Sequence, residues 1–382
     1  MLSNNINFKK FNHKTKNKNI KKNLRNILSE DSEILKSLTS AYQYQYSKSL
    51  VTKIKKEKIL KFIGIGGSIL GTKAIHDFLK HKIKKKIIFY DNLDSNIKNK
   101  IKGTNIIISK SGNTLETIAN VNILIKQNEK NIFITESKNS YLRSLALTLK
   151  AEIINHNNFI GGRYSVMSEV GMLPAELMGL NESKFKQLNN LIKDRNFINL
   201  LVSNVSSTLF FMKNKKFNSI ILNYDSSSDN LFRWYQQLIA ESLGKKGKGL
   251  LPIISSMPRD NHSLMQLYLD GPKNNFFTFF HAKEKNTLKI KNSKILKSHS
   301  YLKNKTFEKI KFSQKIATEN VFLKKNIPFR SFEVVHKNEQ SLGELFCFFI
   351  LETLLLGKAL KVNPYDQPSV ELIKKETRKI LV

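Results

Sequence analysis

Short apolar runs that alternate with helix-forming segments most constrain what this chain can fold into. The runs lie at residues 59–64, 86–90, 105–108 and 131–135 in the first half of the chain, and at 217–224, 250–255 and 276–281 in the second half. Runs of this length, separated by helical patterns, are typical of parallel strands joined by crossover helices. We therefore predict an α/β fold of two similar subdomains, each a doubly wound, mostly parallel sheet flanked by helices.

Changes in composition suggest where these units begin and end. We assign residues 1–44 to a basic N-terminal segment and helix, 45–190 to the first subdomain, and 195–382 to the second subdomain with a C-terminal helix. Residues 1 to about 28 are rich in lysine and asparagine, which predicts a mobile or loosely packed segment. Residues 29–58 have a helical pattern, with Asp31 or Ser32 as a plausible start.

The charge of the chain is strongly positive. It contains 65 lysine and arginine residues against 30 acidic residues, a formal net charge of +35. Nucleic-acid binding is the obvious interpretation. However, the lysines are spread along the whole chain, and no zinc-finger or other nucleic-acid-binding signature accompanies them. We attribute the charge to a compositional bias and expect no specific nucleic-acid partner, although anionic molecules should be attracted nonspecifically.

The cysteine content and the hydropathy of the chain indicate in which cellular compartment the protein is found. The single cysteine, Cys347, lies in an apolar segment, which indicates a packing residue and excludes an intramolecular disulfide. No apolar run reaches the roughly 18 residues that a membrane helix needs. Residues 4–22 lack the apolar core of a signal peptide. We expect a cytoplasmic protein with no membrane contact.

A loop rich in hydroxyl side chains follows the third apolar run. From Ser109 it reads Ser-Lys-Ser-Gly-Asn-Thr-Leu-Glu-Thr and leads into a helical pattern. The hydroxyls of Ser109, Ser111 and Thr114, the ammonium group of Lys110 and the free N–H groups of a helix start all favour an anion. The loop therefore predicts a site for a phosphate monoester.

A glycine-rich loop follows the first apolar run, reading Gly-Ile-Gly-Gly-Ser-Ile-Leu-Gly from Gly64. It is similar to the dinucleotide-binding fingerprint, but Ile69 stands where the third glycine belongs. Asp91, after the next strand, would suit a ribose, so an NAD enzyme stays an alternative. Gly67 and Ser68 can instead hold one sugar phosphate together with the hydroxyl-rich loop, since the carboxyl ends of parallel strands meet at one edge.

Two further segments carry candidate catalytic groups. Arg163 follows a double glycine, which lets the backbone approach a ligand, and its guanidinium can stabilise negative charge on oxygen. Glu241 lies in Ala-Glu-Ser-Leu-Gly-Lys on a mostly apolar helix, where a buried carboxylate can act as a general base. The simpler interpretations are that Arg163 only braces its loop and that Glu241 is a solvated residue near the end of its helix.

The last candidates lie near the end of the second half. His262 is in a polar Asp-Asn-His-Ser loop and can carry a proton near neutral pH. Gln367 and Lys374 belong to a segment that opens the final helix, with Pro368 in its first turn. No Cys, His, Asp or Glu spacing demands a metal, and we expect no cofactor. A base with oxygen-polarising cations suits proton transfer next to a carbonyl.

Taken together, these segments resemble the glucose-6-phosphate isomerase family. The resemblance runs from about Phe62 to Lys374 and rests on six motifs in the family's order. They are Gly-Ile-Gly-Gly-Ser, Ser-Lys-x-x-x-Thr-x-Glu-Thr, Gly-Gly-Arg-x-Ser, Ala-Glu-Ser-x-Gly-Lys, Asn-His-Ser and Asp-Gln-x-x-Val-Glu-x-x-Lys. The resemblance implies two sugar-isomerase (SIS) type subdomains. It also implies interconversion of glucose 6-phosphate and fructose 6-phosphate, a step of glycolysis and gluconeogenesis.

The resemblance also implies a role for each candidate. Glu241 would move a proton between C1 and C2 through a cis-enediol, and Arg163 would stabilise the enediolate. His262 and Lys374 would assist ring opening, and the histidine would come from the partner subunit of a homodimer. The implied substrate-binding residues are Gly67, Ser68, Ser109, Lys110, Ser111, Thr114, Glu116 and Gln367, with Glu116 also orienting the histidine. Ile373 stands where the family usually has glycine before the last lysine.

Two alternatives share the fold. One is a noncatalytic sugar-phosphate sensor, which would need the phosphate loop but neither Glu241 nor His262; such regulators usually carry a DNA-binding module, and none is evident. The other is an isomerase of a related sugar phosphate, such as a mannose or glucosamine phosphate.

Overall fold

The computed structural model describes residues 1–13, 17–95, 101–126, 128–285 and 287–382. The strands are β1 (Ile6–Lys9), β2 (Ile59–Ile63), β3 (Lys86–Tyr90), β4 (Thr104–Ile108), β5 (Asn131–Thr135), β6 (Glu152–Asn155), β7 (Asn218–Asn223), β8 (Leu251–Ser256), β9 (Asn275–Ala282) and β10 (Phe329–Val334). The helices are α1 (Lys18–Leu28), α2 (Glu33–Ser37), α3 (Lys48–Ile54), α4 (Leu70–Phe78), α5 (Leu115–Leu124), α6 (Tyr141–Thr148), α7 (Glu169–Leu177), α8 (Leu188–Lys193), α9 (Arg195–Lys213), α10 (Asp229–Leu243), α11 (Met265–Asp270), α12 (Phe307–Lys324), α13 (Glu339–Leu360) and α14 (Val370–Leu381).

The first sheet is parallel throughout, with the strand order β3-β2-β4-β5-β6. Ile63 at the end of β2 pairs with Tyr90 on one side and Ile107 on the other. Every residue of β4 and β5 is buried. Continuous burial of this kind is what a parallel sheet covered by helices on both faces requires. The predicted α/β class and doubly wound sheet are confirmed in this half.

The second sheet has the order β1-β10-β9-β7-β8. Strands β7 to β10 are parallel, and β1 pairs with β10 in the antiparallel sense at the edge. Helix α13 is buried along most of its length and packs against α9 and α10. A capping box at Asn338 and Ser341 starts α13 by satisfying free N–H groups. The mostly parallel second sheet is thus also confirmed.

The N-terminal residues differ from the prediction of a loosely packed segment. Leu2, Ile6 and Phe11 are almost fully buried, and β1 adds an edge strand to the second sheet. Phe8 packs on the rings of Phe332 and Phe348. Apolar side chains at alternating positions therefore fix this basic segment in spite of its lysines.

Residues 29–58 also differ from the predicted single helix, because only the short helices α2 and α3 form there. Tyr42, Tyr44 and Tyr46 lie between them at every second position. The hydroxyls of Tyr42 and Tyr46 donate to Glu169 at 2.9 Å and to Glu176 at 2.6 Å. The spacing of two is that of an extended chain, so these contacts to α7 replace helical hydrogen bonds.

The two sheets are joined through their first crossover helices. Helix α4 follows β2, α10 follows β7, and the two helices pack against each other. This contact places the second half of α10 beside the loop that follows β2. In the described part of the chain, no helix combines the length and apolarity that crossing a membrane requires.

Candidate active site

Loops after β2 and β4 form the first wall of the site. After Ile63 the chain makes a tight turn that includes a single 3-10 turn at Gly66–Ser68, where Gly66 has φ +57°. An added Cβ on Gly64 would lie 2.7 Å from the carbonyl oxygen of Ile108. Glycine is required there because the loop passes directly over the end of β4. The two loops predicted to share a ligand are therefore neighbours at the carboxyl edge of the sheet.

Hydroxyl groups converge where the second loop enters α5. The Oγ of Ser109 lies 3.0 Å from Oγ1 of Thr114, and the Oγ of Ser111 lies 3.5 Å from it. Thr114 precedes the first residue of α5, and its side chain makes no capping hydrogen bond. Gly112 has φ +63°. The arrangement groups the buried Ser109, the half-buried Thr114 and the exposed Ser111 at the start of a ten-residue helix, a combination that suits an anion.

The charged residues of this loop point to other partners. The ammonium group of Lys110 donates to the carbonyl oxygen of Asn158 at 2.9 Å and lies 3.3 Å from Glu136. Glu116 is half-buried in the first turn of α5, and within the described chain it contacts neither Lys110 nor His262.

The turn that carries Arg163 touches the first glycine loop. An added Cβ on Gly67 would lie 2.3 Å from the carbonyl carbon of Gly162 and 2.6 Å from the amide nitrogen of Arg163. The Oγ of Ser165 donates to the carbonyl oxygen of Gly67 at 3.3 Å. The indole N–H of Trp234 donates to the carbonyl oxygen of Arg163 at 3.1 Å. Gly67 therefore permits the contact that sets the backbone of Arg163.

Arg163 is 2 % exposed and uses its five N–H donors within the chain. Nε donates to the hydroxyl of Ser242 at 2.8 Å, and Nη1 donates to Oε2 of Glu241 at 3.2 Å and to the side-chain oxygen of Gln367. Nη2 donates to the carbonyl oxygens of Pro364 at 2.7 Å and Asp366 at 3.0 Å. A ligand oxygen can gain a hydrogen bond from this guanidinium only when one of these partners moves.

Glu241 lies at the open side of this arrangement. Its side chain is 31 % exposed, and its Oε1 accepts from Nε2 of Gln237 at 2.8 Å. The same Nε2 lies 3.2 Å from the position of an added Cβ on Gly66. In the described chain, the side-chain oxygen of Gln237 is buried without a partner. The carboxylate is thus oriented from both sides, by Arg163 and by Gln237, and stays accessible.

Lys245 and Asp366, which were not predicted to belong to the site, form an ion pair that positions Gln367. Lys245, in the same motif as Glu241, lies 2.8 Å from Oδ1 of Asp366 and donates to the carbonyl oxygen of Asn363. Its hydrogen bond holds the pKa of Asp366 below the usual value. Both residues lie within the quoted motifs: Asp366 directly precedes Gln367, and Lys245 is the last residue of the motif that contains Glu241. The pair ties the segment before Gln367 to the end of α10.

His262 and Lys374 do not join this cluster within one chain. His262 is exposed in a 3-10 turn at Arg259–His262 after β8, and Asp260 holds that turn through the N–H of Ser256 at 2.7 Å. The side chain of Lys374 is 65 % exposed on α14 and pairs with Glu371 at 2.6 Å. In the described residues, no group of three or more His, Cys, Asp or Glu side chains is arranged to hold a metal ion.

Comparison with known proteins supplies a family match. The phosphoglucose isomerase family model matches residues 11–382. The glucose-6-phosphate isomerase of Methanocaldococcus jannaschii is 32% identical over 333 residues, which cover 82% of each chain. That of Mycoplasmopsis pulmonis is 32% identical over 360 residues, covering 86% of this chain and 84% of the relative. A crystal structure of a glucose-6-phosphate isomerase from Chlamydia trachomatis shares the fold with a TM-score of 0.72 at 18% identity, over 94% of this chain and 78% of that one.

Proposed function

The chain belongs to the phosphoglucose isomerase family and is an aldose–ketose isomerase of glucose 6-phosphate and fructose 6-phosphate, and we propose that Glu241 is its catalytic base. The observation that carries the proposal is the accessible carboxylate of Glu241, held between Arg163 and Gln237. A carboxylate fixed in this way can take a proton from one carbon and return it to the next. The noncatalytic sensor, the related sugar phosphate and the NAD enzyme are not favoured.

We assign the phosphate of the substrate to the hydroxyl-rich loop. Ser109, Ser111 and Thr114 face one another at the start of α5, and Gly67 and Ser68 lie on the neighbouring loop. Phosphate oxygens would accept hydrogen bonds from these hydroxyls and from the free N–H groups of the helix. Lys110 would add positive charge after leaving Glu136, and Glu116 would border the same site.

The reacting carbons would then lie near Glu241. The carboxylate removes the proton from C2 of the aldose and a cis-enediolate forms. A proton passes from the oxygen on C2 to the oxygen on C1, and the carboxyl group of Glu241 returns its proton to C1. We propose that Gln367 turns toward the sugar and frees one Nη1 donor of Arg163 for the enediolate oxygen. A cation fixed in a largely buried site stabilises such developing charge without reorganising.

A coupled assay with a Glu241→Gln variant tests the base. Fructose 6-phosphate is supplied, glucose 6-phosphate is measured through its dehydrogenase, and EDTA is present. We expect turnover by the unaltered protein, and a fall in kcat of about 10²- to 10⁴-fold in the variant, because a general base contributes about that much. The double variant Glu241→Gln/Gln237→Glu serves as the control, because it places a carboxylate at the neighbouring position, and it should not restore the rate lost in Glu241→Gln. A variant with normal turnover would exclude Glu241 as the base.

We further propose a homodimer in which His262 of one subunit completes the site of its partner. His262 is exposed and has no hydrogen-bond partner in the described chain, and the exposed α14 carries Leu372, Ile373 and Ile380 on its surface. Docking of a second copy would cover these apolar side chains and bring His262 and Lys374 to a site. Residues 45–190 and 195–382 would be the two subdomains, with residues 1–44 bracing them, in a cytoplasmic protein.

Mixed dimers test this arrangement. Glu241→Gln and His262→Ala are each expected to be nearly inactive, and the two proteins are unfolded together and refolded as a mixture. If His262 acts across the interface, about one quarter of the sites contain both native residues, and activity returns to about that fraction. If His262 acts within its own chain, every site lacks one residue and the mixture stays inactive. Refolding each variant alone is the matched control.

A further inference from the structure

A second cavity lies at the start of strands β9 and β10, where β1 ends. It has a volume of about 490 Å³ and includes Asn275, Phe329 and Lys9 in its lining. It shares no residue with the cluster around Arg163. A cavity of this size can enclose a small organic ligand.

Positive charge in this cavity is poorly balanced. Its lining includes Lys9, Lys10, Lys216, Lys273 and Lys325 and, among the described residues, no aspartate or glutamate. Of these five, only Lys9 forms an ion pair with another residue that the structure describes, at 3.8 Å from Glu319, which lies outside the lining. Another surface cavity also contains lysines, but there Glu129 and Glu152 are part of the lining. The imbalance is therefore local and more specific than the high charge of the chain as a whole.

Lys216 shows the effect of this crowding. It is half-buried, and its ammonium group donates to the carbonyl oxygen of Lys273. Burial, followed by the positive charge of Lys273, lowers the pKa of Lys216. A bound anion would oppose both effects, because an opposite charge beside these ammonium groups favours their charged forms.

An aromatic pair forms one wall of the same cavity. The rings of His13 and Phe210 are stacked, with centroids 3.8 Å apart and planes 27° from parallel. Phe210 remains 39% exposed, although it is an apolar side chain next to the buried Phe211. Flat, accessible rings of this kind bind other aromatic rings, and nucleobases in particular, by stacking.

We propose that this cavity binds a nucleotide, with the base against the His13–Phe210 pair and the phosphates among the lysines. Both halves of the ligand contribute to binding, because the aromatic wall cannot pair with the charge of a phosphate and the lysine charges have no counterpart on an uncharged ring. The proposal is independent of the isomerase activity, since none of the residues around Arg163 takes part.

Isothermal titration of the full chain with ATP, tripolyphosphate and adenosine, at about 0.15 M salt to screen distant charges, tests the proposal. We expect one ATP per chain, with tripolyphosphate and adenosine each binding about tenfold more weakly, because stacking and charge pairing each contribute about that factor. Saturating fructose 6-phosphate should leave ATP binding unchanged.

Variants separate the cavity from the general charge. Lys273→Gln/Lys325→Gln and Phe210→Ala should each weaken ATP binding by about tenfold. The matched control, Lys291→Gln/Lys294→Gln, removes two exposed lysines outside the cavity and should change the affinity by less than about twofold. Equal losses in the control, equal affinity for tripolyphosphate, displacement by fructose 6-phosphate or an absence of ATP binding would each overturn the proposal. Denaturant unfolding of every variant identifies any that has lost its fold.

Discussion

Two buried arginines, each beside a glutamate, have different surroundings in this molecule. Arg163 contacts Glu241, whose side chain is 31 % exposed, and two of its donors go to backbone carbonyls of the 364–366 segment. Arg330 contacts Glu352, and both side chains are 1 % exposed. Its other partners, Asn204, Thr278 and Tyr235, are buried side chains of the surrounding elements. The Arg330–Glu352 pair is thus closed to solvent, and the Arg163–Glu241 pair is open to it; we call them the closed pair and the open pair.

The comparison teaches how burial distinguishes a structural pair from one available to a ligand. In the closed pair, four of the five N–H donors of Arg330 and both carboxylate oxygens of Glu352 are used by buried side chains. Removing either charged partner would leave the other charge buried. In the open pair, Glu241 can reach a ligand, and Gln367 is on a segment that an ion pair, rather than a packed core, holds in place. Substitutions in the closed pair should therefore lower chiefly the free energy of unfolding, and substitutions in the open pair should lower chiefly the catalytic rate.

The largest effect is expected for Glu352→Gln. The change leaves the guanidinium of Arg330 buried without an opposite charge, so the free energy of unfolding should fall by about 3 kcal/mol or more. Urea denaturation followed by circular dichroism measures this loss. Glu241→Gln is the matched change in the open pair and should alter the free energy of unfolding by about 1 kcal/mol or less, since its carboxylate keeps solvent contact. Similar losses in both variants would mean that the two pairs do not differ as described.

Arg163→Lys is expected to act chiefly on catalysis. Lysine keeps the charge but cannot reproduce the five-donor fork that holds Ser242, Glu241 and Gln367. We expect kcat/KM to fall by about 100-fold, the usual effect of losing a donor at developing negative charge. The measurement is the coupled assay, with Arg330→Lys as the reference. That variant should mainly lower stability, and a larger loss of kcat/KM in a still-folded Arg330→Lys would reverse the distinction.

A third buried cation sharpens the comparison because it has no carboxylate contact in the described chain. Lys186 donates to the carbonyl oxygens of Ser37 and Met167, both at 2.5 Å. Burial lowers its pKa to about 7, from 10.5 in the unfolded chain. Between these values the unfolded state binds one more proton, so this group makes the free energy of unfolding rise with pH, by up to about 1.4 kcal/mol per pH unit.

Lys186→Met removes that contribution. Between pH 7 and about 10, the free energy of unfolding should then rise less steeply in the variant than in the unaltered protein. Urea titrations at several pH values give both slopes, and Lys184→Met, an exposed lysine two residues earlier, is the control. Parallel slopes in the variant and the unaltered protein would show that Lys186 stays charged when buried.

Most of the fold could be predicted from the sequence, because most strands can be recognised from their own residues. Continuous apolar runs such as 131–135 are buried on both sides, so their strand character is visible without knowledge of their neighbours. The four-residue β1 was missed because its lysine-rich surroundings conceal a strand that only β10 stabilises. The prediction of a helix over the tyrosine segment at 42–46 is wrong for a similar reason, since the partners that hold this segment extended, Glu169 and Glu176, are remote in sequence.

The candidate site likewise contains residues that the sequence can identify and residues that it cannot. Arg163, Glu241 and Gln367 come together in one chain, and each could be selected from a short motif. Lys245 and Asp366 lie in those motifs, but in a chain with 65 basic residues no sequence signal distinguishes this lysine from the others. His262 and Lys374 do not join this cluster within the described chain, so their assignment remains a proposal.

The pairing of β1 with β10 has a consequence for the order in which the protein folds. Strand β1 is made well before its only neighbour in the sheet of the described residues, β10, with Ile6 opposite Val334. Strand β1 must wait until β10 has been made, while the first sheet, built from β2 to β6 in one continuous segment, has no such delay. Such long-range pairing slows folding and prolongs the exposure of an unpaired edge. Nascent chains stalled before β10 should therefore be the form most in need of chaperone protection.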